Sequence, residues 1–192
     1  MFDETQKKII DAAMALVMER GYTATTTKDI AVQAGINECT IFRRFKGKKD
    51  IVLSAMKLPA WNPGLTEEEF TFWGVLEEDL ISFAETYMRK VTPRMVKISI
   101  GLRTPELYPD TADTILEVPK VFKRMLINYF QQMNAEEKIS SRDFESLSMM
   151  FLSMIFGFVF LDASFGRKLT DLEKKKYIYD SVQVFVNGIS VN

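Results

Sequence analysis

Apolar residues recur at steps of three and four along most of this chain, which is the spacing of one face of an α-helix. The most regular series runs from Phe144 to Phe165, and another runs from Phe70 to Met88. A shorter series from Ile10 to Val17 precedes two brief helix patterns. The pattern therefore predicts an all-α fold, with three short helical segments near the N-terminus and longer helices after them.

Two short helices are predicted between Thr26 and Phe45, with very few residues between them. Thr26 followed by Asp29 is a capping box, and Gly35 suits the left-handed conformation that ends a helix. Asn37 then suits the N-cap of the second helix. The residues of that helix predicted to point inward are Ile41, Phe42 and Phe45. Two helices joined by so short a turn cross steeply, which predicts a helix-turn-helix.

Positive charge is concentrated in the second of these helices and just after it. Between Asn37 and Asp50, five basic residues stand against two acidic ones, a net charge of +3, whereas the whole chain carries −1. The basic residues are Arg43, Arg44, Lys46, Lys48 and Lys49. Such a cluster beside two helix N-termini favours binding of a phosphate backbone. The alternative is that the basic run is only a solvated helix face.

The N-terminal residues also follow a spaced pattern of residue types. It comprises Ile9-x3-Ala13-x2-Leu16, Gly21-Tyr22, Thr26-Thr27-x-Asp29-Ile30-Ala31-x2-Ala34-Gly35 and Thr40-Ile41-Phe42-x2-Phe45-Lys46-x-Lys48-x2-Ile51. This pattern resembles the DNA-binding domain of the TetR family of transcriptional regulators, although Arg43 and Arg44 stand where the family more often has Tyr and His. The resemblance implies a three-helix DNA-binding domain over residues 1–50 and a helical effector-binding and dimerisation domain over residues 51–192.

The candidate DNA-binding residues come from both short helices and from the residues that follow them. The first residues of the second helix of such a motif read base edges, while residues at the N-terminus of the first can meet phosphate. The resemblance implies that the two arginines and Lys48 mostly touch the DNA backbone, although an Arg can also take a guanine edge. The full set is Thr26, Thr27, Lys28, Asn37, Glu38, Cys39, Thr40, Arg43, Arg44, Lys46 and Lys48.

Three further segments carry boundary signals. A fourth helix is predicted to start over Lys48 to Leu58 and to be longer than those before it, with a turn at Asn62-Pro63-Gly64. Thr66 and Glu69 form a capping box, which predicts that the fifth helix opens there. Thr104 to Pro119 is predicted to be mainly loop, because Pro105 and Pro109 lie within it, although Thr111 to Val118 could contribute helical turns.

The larger C-terminal part is rich in aromatic residues and methionine. Most of the 15 Phe and 11 Met of the chain follow residue 57. Such residues at helical spacing usually form core, and they also suit a pliable apolar cavity between helices. The TetR resemblance implies an effector in this part, and the candidate pocket residues are Trp73, Phe83, Tyr87, Met95, Ile98, Phe122, Met125 and Tyr129.

The two last helices are the candidate dimer interface. The helix from Phe144 is apolar on most sides, so it has to be covered on most sides, most simply by its own domain and by a second copy of the chain. The resemblance adds that the family dimerises through its last two helices. The candidate interface residues are Phe151, Met154, Phe158, Leu161, Phe165, Val182, Phe185 and Ile189. The alternative is that all of this apolar surface is intramolecular core.

Composition removes several other classes of function. Histidine is absent and Cys39 is the one cysteine, so Ser-His and Cys-His catalysis, Cys/His zinc sites and internal disulfides are excluded. We expect no catalytic residue, no metal and no cofactor. The longest uncharged run, Ser146 to Leu161, is shorter than a membrane span of about 20 residues, and the N-terminus lacks a secretory signal. These features favour a cytoplasmic location.

The sequence therefore predicts a homodimeric transcriptional repressor, which a small, largely apolar effector releases from a palindromic double-stranded DNA operator. Two alternatives of other classes stay open. One is a helical carrier or enzyme whose basic segment is incidental, and whose catalysis would rest on carboxylates, Lys or Tyr. The other is an interaction module that binds another protein through the aromatic C-terminal helices. DNA binding and the oligomeric state distinguish the three.

Overall fold

The structure is a computed structural model that describes residues 2–61, 67–140 and 143–190. Across these residues it contains nine α-helices and no β-strand, which confirms the predicted all-α fold. The helices are α1 (Glu4–Arg20), α2 (Thr27–Ala34), α3 (Glu38–Arg44), α4 (Lys48–Ala55), α5 (Leu76–Lys90), α6 (Pro93–Gly101), α7 (Tyr108–Ala135), α8 (Phe144–Phe165) and α9 (Lys174–Ile189). Single 3-10 turns lie at Glu67–Glu69 and Gly166–Lys168.

The chain divides into two compact units, and neither is continuous in sequence. The first comprises Met1–Gly64 and Arg94–Leu116, and the second comprises Leu65–Pro93 and Glu117–Asn192. Helices α4 and α6 thus pack with the N-terminal helices in the first unit. The division into functional domains after residue 50 stays a prediction.

The first unit is built around α1, whose apolar face is fully buried. Asp3 caps α1 through a capping box with Gln6, and Gly21 ends it at a positive φ of 85°. Gly101 of α6 lies so close to α1 that an added Cβ would meet Val17 at 3.4 Å, so only a small residue fits there. The core residues supplied by the other segments of this unit are Ile30, Ala31, Ile41, Phe45, Ile51, Val52, Ala55, Trp61, Ile98, Leu102 and Leu107.

The region between α4 and α5 differs from the prediction. Helix α4 ends at Ala55, and turns follow it as far as Trp61, so α4 is shorter than predicted. The predicted turn at Asn62-Pro63-Gly64 and the predicted cap Thr66 lie outside the described residues. The fifth helix begins at Leu76, because Gly74 has a positive φ of 82° and the backbone before it is extended.

The segment predicted to be mainly loop after Thr104 is helical over most of its length. Helix α7 starts at Tyr108 and continues through Pro119 to Ala135. Pro109 lies in the first turn, where a missing N–H removes no helical hydrogen bond. Pro119 does remove one, so packing outweighs the local preference against proline there. The prediction of a loop was therefore wrong for Tyr108 to Asp110, and the helical turns allowed between Thr111 and Val118 are part of one continuous helix.

The second unit has an aromatic core between α5, α7, α8 and α9. Phe83 of α5 lies 5.7 Å from Phe122 of α7 and 6.0 Å from Phe151 of α8, measured between ring centroids. Phe151 in turn lies 5.0 Å from Phe185 of α9. These four rings are buried, and they connect the helices of this unit into one packed layer.

The strip of α8 that is buried within the protomer shares only Phe151 with the predicted interface residues. The buried strip recurs every four residues, at Leu147, Phe151, Ile155, Val159 and Ala163. The predicted series repeats every 3.5 residues on average, so it diverges from the buried strip towards the C-terminal end of a straight helix. Its last members, Leu161 and Phe165, are exposed, while Met154 and Phe158 are half-buried.

Four residues predicted to face a second subunit lie in the core of the protomer instead. Phe151, Val182, Phe185 and Ile189 are buried within the second unit and have no surface left for a partner chain. The apolar surface that α8 and α9 leave exposed is formed by Met149, Met150, Phe156, Phe160, Leu161, Phe165, Tyr179 and Val184. We call this set the outer apolar face.

Candidate nucleic-acid interface

Helices α2 and α3 form as the capping residues predict. The Thr26 hydroxyl accepts a hydrogen bond from the Asp29 backbone N–H, and the Asp29 carboxylate accepts one from the Thr26 N–H. Gly35 then ends α2 in the left-handed conformation at φ 66°. Asn37 caps α3 by accepting from the Cys39 N–H at 2.9 Å. Both helix starts predicted from the sequence are therefore confirmed.

The inner face of α3 fixes which side chains remain on the surface. Ile41 and Phe45 are buried against α1 and α2, and the Phe45 ring also contacts Phe2 at 6.5 Å. Because α3 has only seven residues, this one strip is all that it buries. The exposed members of the predicted set are Thr26, Lys28, Asn37, Cys39, Arg43, Arg44 and Lys46. Thr27, Glu38, Thr40 and Lys48 are half-buried.

Phe42 points outward, although the sequence analysis predicts that it points inward. Its side chain is 57% exposed and stands beside Arg43 on the outer face of α3. A signal for this was available, because Ile41 and Phe45 are four residues apart and already account for the inner strip of a helix this short. An exposed aromatic ring on this face suits contact with a thymine methyl group. Phe42 is therefore a candidate DNA contact that the sequence analysis missed.

Two of the predicted base-reading residues are engaged within the protein. The Thr27 hydroxyl donates to the Glu38 carboxylate at 2.7 Å, which connects the start of α2 with the start of α3. The Asn37 side-chain oxygen is used by the cap described above. The carboxylate of Glu38 retains further acceptor capacity, because an ionised carboxylate offers about four acceptor positions.

The cations of this surface differ in how they are paired. Arg44 forms a salt bridge with Asp3 at 3.0 Å, and Arg20 forms one with Asp29 at 2.7 Å. Among the described residues, no carboxylate lies within salt-bridge distance of Arg43. Exposed pairs contribute little to stability, so phosphate can compete for Arg44 at small cost. Arg43 is available to DNA directly.

Lys48 has a structural role that the sequence analysis did not predict. Its ammonium group donates to the backbone carbonyls of Tyr22 at 2.8 Å and Thr25 at 2.7 Å. The same group lies 3.9 Å from the centre of the Tyr22 ring, within cation–π range. Partial burial lowers the pKa of Lys48, and the negative charge of Glu106 opposes this effect. Lys48 therefore holds the loop after α1 against the start of α4.

We expect Lys48→Met to destabilise the protein by about 2 kcal/mol, because hydrogen bonds from a charged donor are lost and two carbonyls lose a partner. Urea denaturation followed by circular dichroism, at one protein concentration, measures the change. Lys46→Met is the matched control, since the Lys46 side chain is exposed and should change stability by less than about 0.5 kcal/mol. Equal shifts for the two variants would contradict the structural role of Lys48.

The start of α4 lies at an open cleft of about 480 Å³ that contains three lysines. Gly47 is the N-cap at φ 146°, and no side chain caps this helix, so the first N–H groups face outward. The cleft is lined by Tyr22, Lys46, Gly47, Lys48, Lys49, Asp50, Leu53 and Glu106. Backbone N–H groups beside ammonium groups form a phosphate-binding arrangement.

Two acidic residues interact with side chains of this cleft, Glu106 from the connection between α6 and α7 and Asp110 from the first turn of α7. The Tyr22 hydroxyl donates to Glu106 at 2.7 Å, and Lys49 forms a salt bridge with Asp110 at 2.6 Å. Burial and the hydrogen bond to Glu106 raise the pKa of Tyr22, so its hydroxyl stays protonated and remains a donor. Lys49 belongs to the basic cluster that the sequence predicts, and here it is paired with a carboxylate.

The predicted effector residues do not all lie together. Phe83, Tyr87, Phe122, Met125 and Tyr129 are buried in the second unit, and the first three with Tyr129 belong to its aromatic core. Trp73 is 62% exposed. Ile98 belongs to the core of the first unit, and Met95 also lies in that unit. Trp73, Met95 and Ile98 therefore lie outside the aromatic core that holds most of the other predicted pocket residues, and the effector pocket stays a prediction.

Comparison with known proteins gives one family. Residues 9–55 match the family described as bacterial regulatory proteins, tetR family. The uncharacterized HTH-type transcriptional regulator YvkB of Bacillus subtilis (strain 168) is 32% identical over 188 residues, which cover 98% of each chain. The biofilm operon icaADBC negative transcriptional regulator IcaR of Staphylococcus aureus (strain Newman) is 23% identical, over 93% of this chain and 97% of that protein.

A solved structure of similar fold gives the same result for the architecture. The transcriptional regulator FadR from Bacillus subtilis, in complex with stearoyl-CoA, superposes with a TM-score of 0.66 at 20% identity, covering 95% of this chain and 98% of that one. The helix-turn-helix at α2 and α3, the match over residues 9–55 and the full-length similarity to YvkB all agree. The chain belongs to the TetR family of DNA-binding transcriptional regulators.

Proposed function

We propose that this protein is a homodimeric repressor that binds a palindromic operator and is released from it by a small, largely apolar effector. The observation that carries the proposal is that one chain presents both a cationic surface and an exposed apolar surface. The first unit offers a cationic outer face on α3 and the start of α4, and the second unit leaves the outer apolar face exposed on α8 and α9. Such a repressor acts on DNA in the cytoplasm.

The DNA contacts divide by chemistry. Cys39, Phe42 and Arg43 are three of the exposed side chains of α3, and we assign them to the major groove, where Arg43 can read guanine. We assign the phosphate contacts to the open N–H groups of α4 and to exposed hydroxyl or cationic groups around them. Those groups are Thr26, Lys28, Arg44, Lys46 and Lys49. Lys48 supports the site from behind.

The dimer contact is proposed at the outer apolar face, which retains Leu161 and Phe165 of the predicted interface set and omits its buried members. Ser153 and Gly157 lie along the middle of this face on α8, and a Cβ added at Gly157 would meet no atom within 4 Å. Small residues there permit close approach of a second helix, while Phe156 and Phe160 beside them supply apolar area. Val184 of α9 is 75% exposed and extends the face. An exposed apolar surface of this extent favours an interface.

The same surface accounts for the high hydropathy of α8. By length and composition alone, Phe144–Lys168 could cross a membrane, with a mean hydropathy of 1.9 and one third of its best window buried. A single such helix is weak support for a membrane span, because core helices of soluble proteins reach the same hydropathy. We infer that a second subunit covers the remainder.

The effector is proposed to bind in the second unit. Its aromatic core can accommodate apolar ligands, and the regulator FadR, of similar fold, carries stearoyl-CoA. In-vitro selection of DNA from a random pool, followed by footprinting, tests the main proposal. We expect a symmetric footprint with half-sites separated by about one helical turn, roughly 34 Å, or a small multiple. An asymmetric footprint, or no enrichment of any sequence, would overturn it.

We expect Asp110→Asn to strengthen DNA binding, because it frees Lys49 from its carboxylate partner. The plot of log affinity against log salt should steepen by about 1.8 for the proposed dimer, because each of its two subunits gains one phosphate contact worth about 0.9. Affinity at low salt should rise several-fold. Fluorescence anisotropy on the selected duplex, over a series of salt concentrations, measures both quantities.

Asp113→Asn provides the control for this effect. It removes the same charge one turn further along α7, where the carboxylate is exposed. If Asp110→Asn acted only through the net charge of the protein, Asp113→Asn would change the slope of log affinity against log salt by the same amount. That result would show that the pair between Lys49 and Asp110 does not restrict phosphate binding.

A further inference from the structure

An extended segment in front of α5 covers the aromatic core of the second unit. We call residues 70–75, Phe70 to Val75, the aromatic strap. Side chains along it alternate, so that Phe70 and Phe72 are half-buried while Thr71 and Trp73 are exposed. This alternation is the pattern of an extended chain lying on an apolar surface. The strap is therefore a separate layer on the helices beneath it.

The two inward rings of the strap are stacked on rings of the helices. Phe72 lies 4.4 Å from Tyr129 with the ring planes 20° apart, and it is also nearly parallel to Phe83 at 6.4 Å. Phe70 lies 5.1 Å from Phe83 and meets Phe122 edge-on at 5.5 Å. The Phe72 ring of the strap therefore covers the flat faces of Tyr129 and Phe83.

A fully buried carboxylate holds the strap in place. Asp79 Oδ1 accepts from the Trp73 N–H at 2.7 Å, and Oδ2 accepts from the Gly74 N–H at 2.9 Å and from the Tyr129 hydroxyl at 2.8 Å. These three donors are neutral. A buried carboxylate is tolerated only while donors satisfy its oxygens. Asp79 is thereby bonded to both the strap and the ring on which the strap stacks.

The remaining attachments of the strap are at the surface. Lys138 donates to the Gly74 carbonyl at 2.7 Å, and Lys90 is paired with Glu69 just before the strap. Surface contacts of this kind exchange readily with water. Helices α5 and α7 keep their backbone hydrogen bonds without the strap, so it can leave while they stay folded.

We propose that the position of Phe72 is a ligand site for planar aromatic compounds that carry a hydrogen-bond donor, such as phenols. The ligand ring takes the place of Phe72 on Tyr129, and its hydroxyl replaces the strap N–H groups on Asp79. The proposal specifies the effector of the proposed repressor and rests on that function only for its regulatory consequence. Binding at the site is independent of DNA.

The chemistry of Asp79 selects the class of ligand. When the strap leaves, Asp79 loses two of its three donors, and a ligand without a donor leaves the buried carboxylate under-satisfied. A saturated chain fails on both counts, because it has no flat face for Tyr129 and no donor for Asp79. An unsubstituted aromatic hydrocarbon meets the first requirement and fails the second. The site therefore distinguishes a phenol from a hydrocarbon of the same shape.

The test is titration calorimetry of the full chain with 2-naphthol, naphthalene and decalin as probes. We expect Phe72→Ala to bind 2-naphthol about tenfold more tightly than the unchanged protein, because the competing ring is removed. Trp73→Ala changes an exposed neighbour on the same strap and should leave the affinity unchanged. Circular dichroism of each variant confirms folding, and Phe72→Leu, with an intermediate gain, serves if the alanine variant is unstable.

Two further variants test the roles of the stacking surface and the carboxylate. Tyr129→Leu should abolish binding of 2-naphthol, whereas Tyr129→Phe keeps the stacking ring and loses one donor to Asp79, so its affinity should lie between those of Tyr129→Leu and the unchanged protein. Asp79→Asn should reduce the preference for 2-naphthol over naphthalene by about tenfold. Equal binding of all three probes, or no gain in Phe72→Ala and Phe72→Leu, would overturn the proposal.

Operator binding separates this inference from the proposed function. If 2-naphthol binds with the expected dependence on Phe72 and leaves operator affinity unchanged, the ligand site is supported and its regulatory role is contradicted. If an acyl-CoA releases the protein from the operator while 2-naphthol binds no variant, the proposed repressor function is supported and the aromatic ligand site is contradicted. Both quantities come from the same purified protein.

Discussion

The double variant Arg43→Ala/Arg44→Ala is expected to lose affinity for its selected DNA duplex by about 100-fold or more near 0.1 M salt. Each Arg that contacts a base or phosphate contributes about 1–3 kcal/mol, and both side chains are exposed beside the start of α4. If both meet phosphate in each subunit of the proposed dimer, four contacts are lost and the slope of log affinity against log salt should fall by about 3.6. If Arg43 reads guanine instead, sequence preference should relax at one position of each half-site.

The control for this variant removes the same charge from another helix. Lys174→Ala/Lys175→Ala changes two exposed lysines at the start of α9 and should leave affinity and slope nearly unchanged. Fluorescence anisotropy on the same duplex measures both proteins. An unchanged affinity for Arg43→Ala/Arg44→Ala would contradict the proposed interface on α3.

A second large effect is expected for Phe156→Glu/Phe160→Glu on the outer apolar face. Their rings lie 6.1 Å apart on α8, and both are about 40% exposed in the protomer. Loss of two aromatic contacts of about 2 kcal/mol each weakens a dimer by about 1,000-fold. Sedimentation velocity should therefore show a monomer at micromolar concentration. Operator affinity should fall with it, because a monomer engages one half-site at a time.

The matched control introduces two glutamates at exposed apolar positions elsewhere. Ile100 of α6 and Leu116 of α7 are 49% and 47% exposed, so Ile100→Glu/Leu116→Glu makes the same chemical change outside the proposed interface. This control should sediment like the unchanged protein. A stable dimer in Phe156→Glu/Phe160→Glu would show that the subunits meet elsewhere.

The helix-turn-helix could be predicted from the sequence because its determinants are local. Thr26, Asp29, Gly35 and Asn37 act on backbone groups within three residues, and the structure shows each of them in the predicted cap. The side chain of Phe42 is not placed by capping signals, because it depends on which apolar residues fill one narrow buried strip, and the spacing of Ile41 and Phe45 is the only local signal for that. Only the packing of Ile41 against α1 and α2 decides between them.

The second unit was predicted less well because its features depend on contacts between distant residues. The start of α5 is fixed by Asp79, which accepts from backbone groups of the strap, and a helical apolar spacing continued through that strap. Pro119 lies inside a helix that packing maintains. On α8, apolar residues occupy almost every side, so periodicity alone could not separate the residues covered by α5 and α9 from those left exposed.

The discontinuous first unit has a consequence for recombination between regulators of this family. Ile98, Leu102 and Leu107 complete the core formed by α1 to α4, although they follow in sequence after α5. A chimera joined shortly after α4 would contain α1 to α4 without the segment that completes their core. The apolar side chains of α1 would then pack against residues from the other regulator. The DNA-binding helices of this chain can therefore be exchanged between regulators only if the segment from Arg94 to Leu116 is transferred with them.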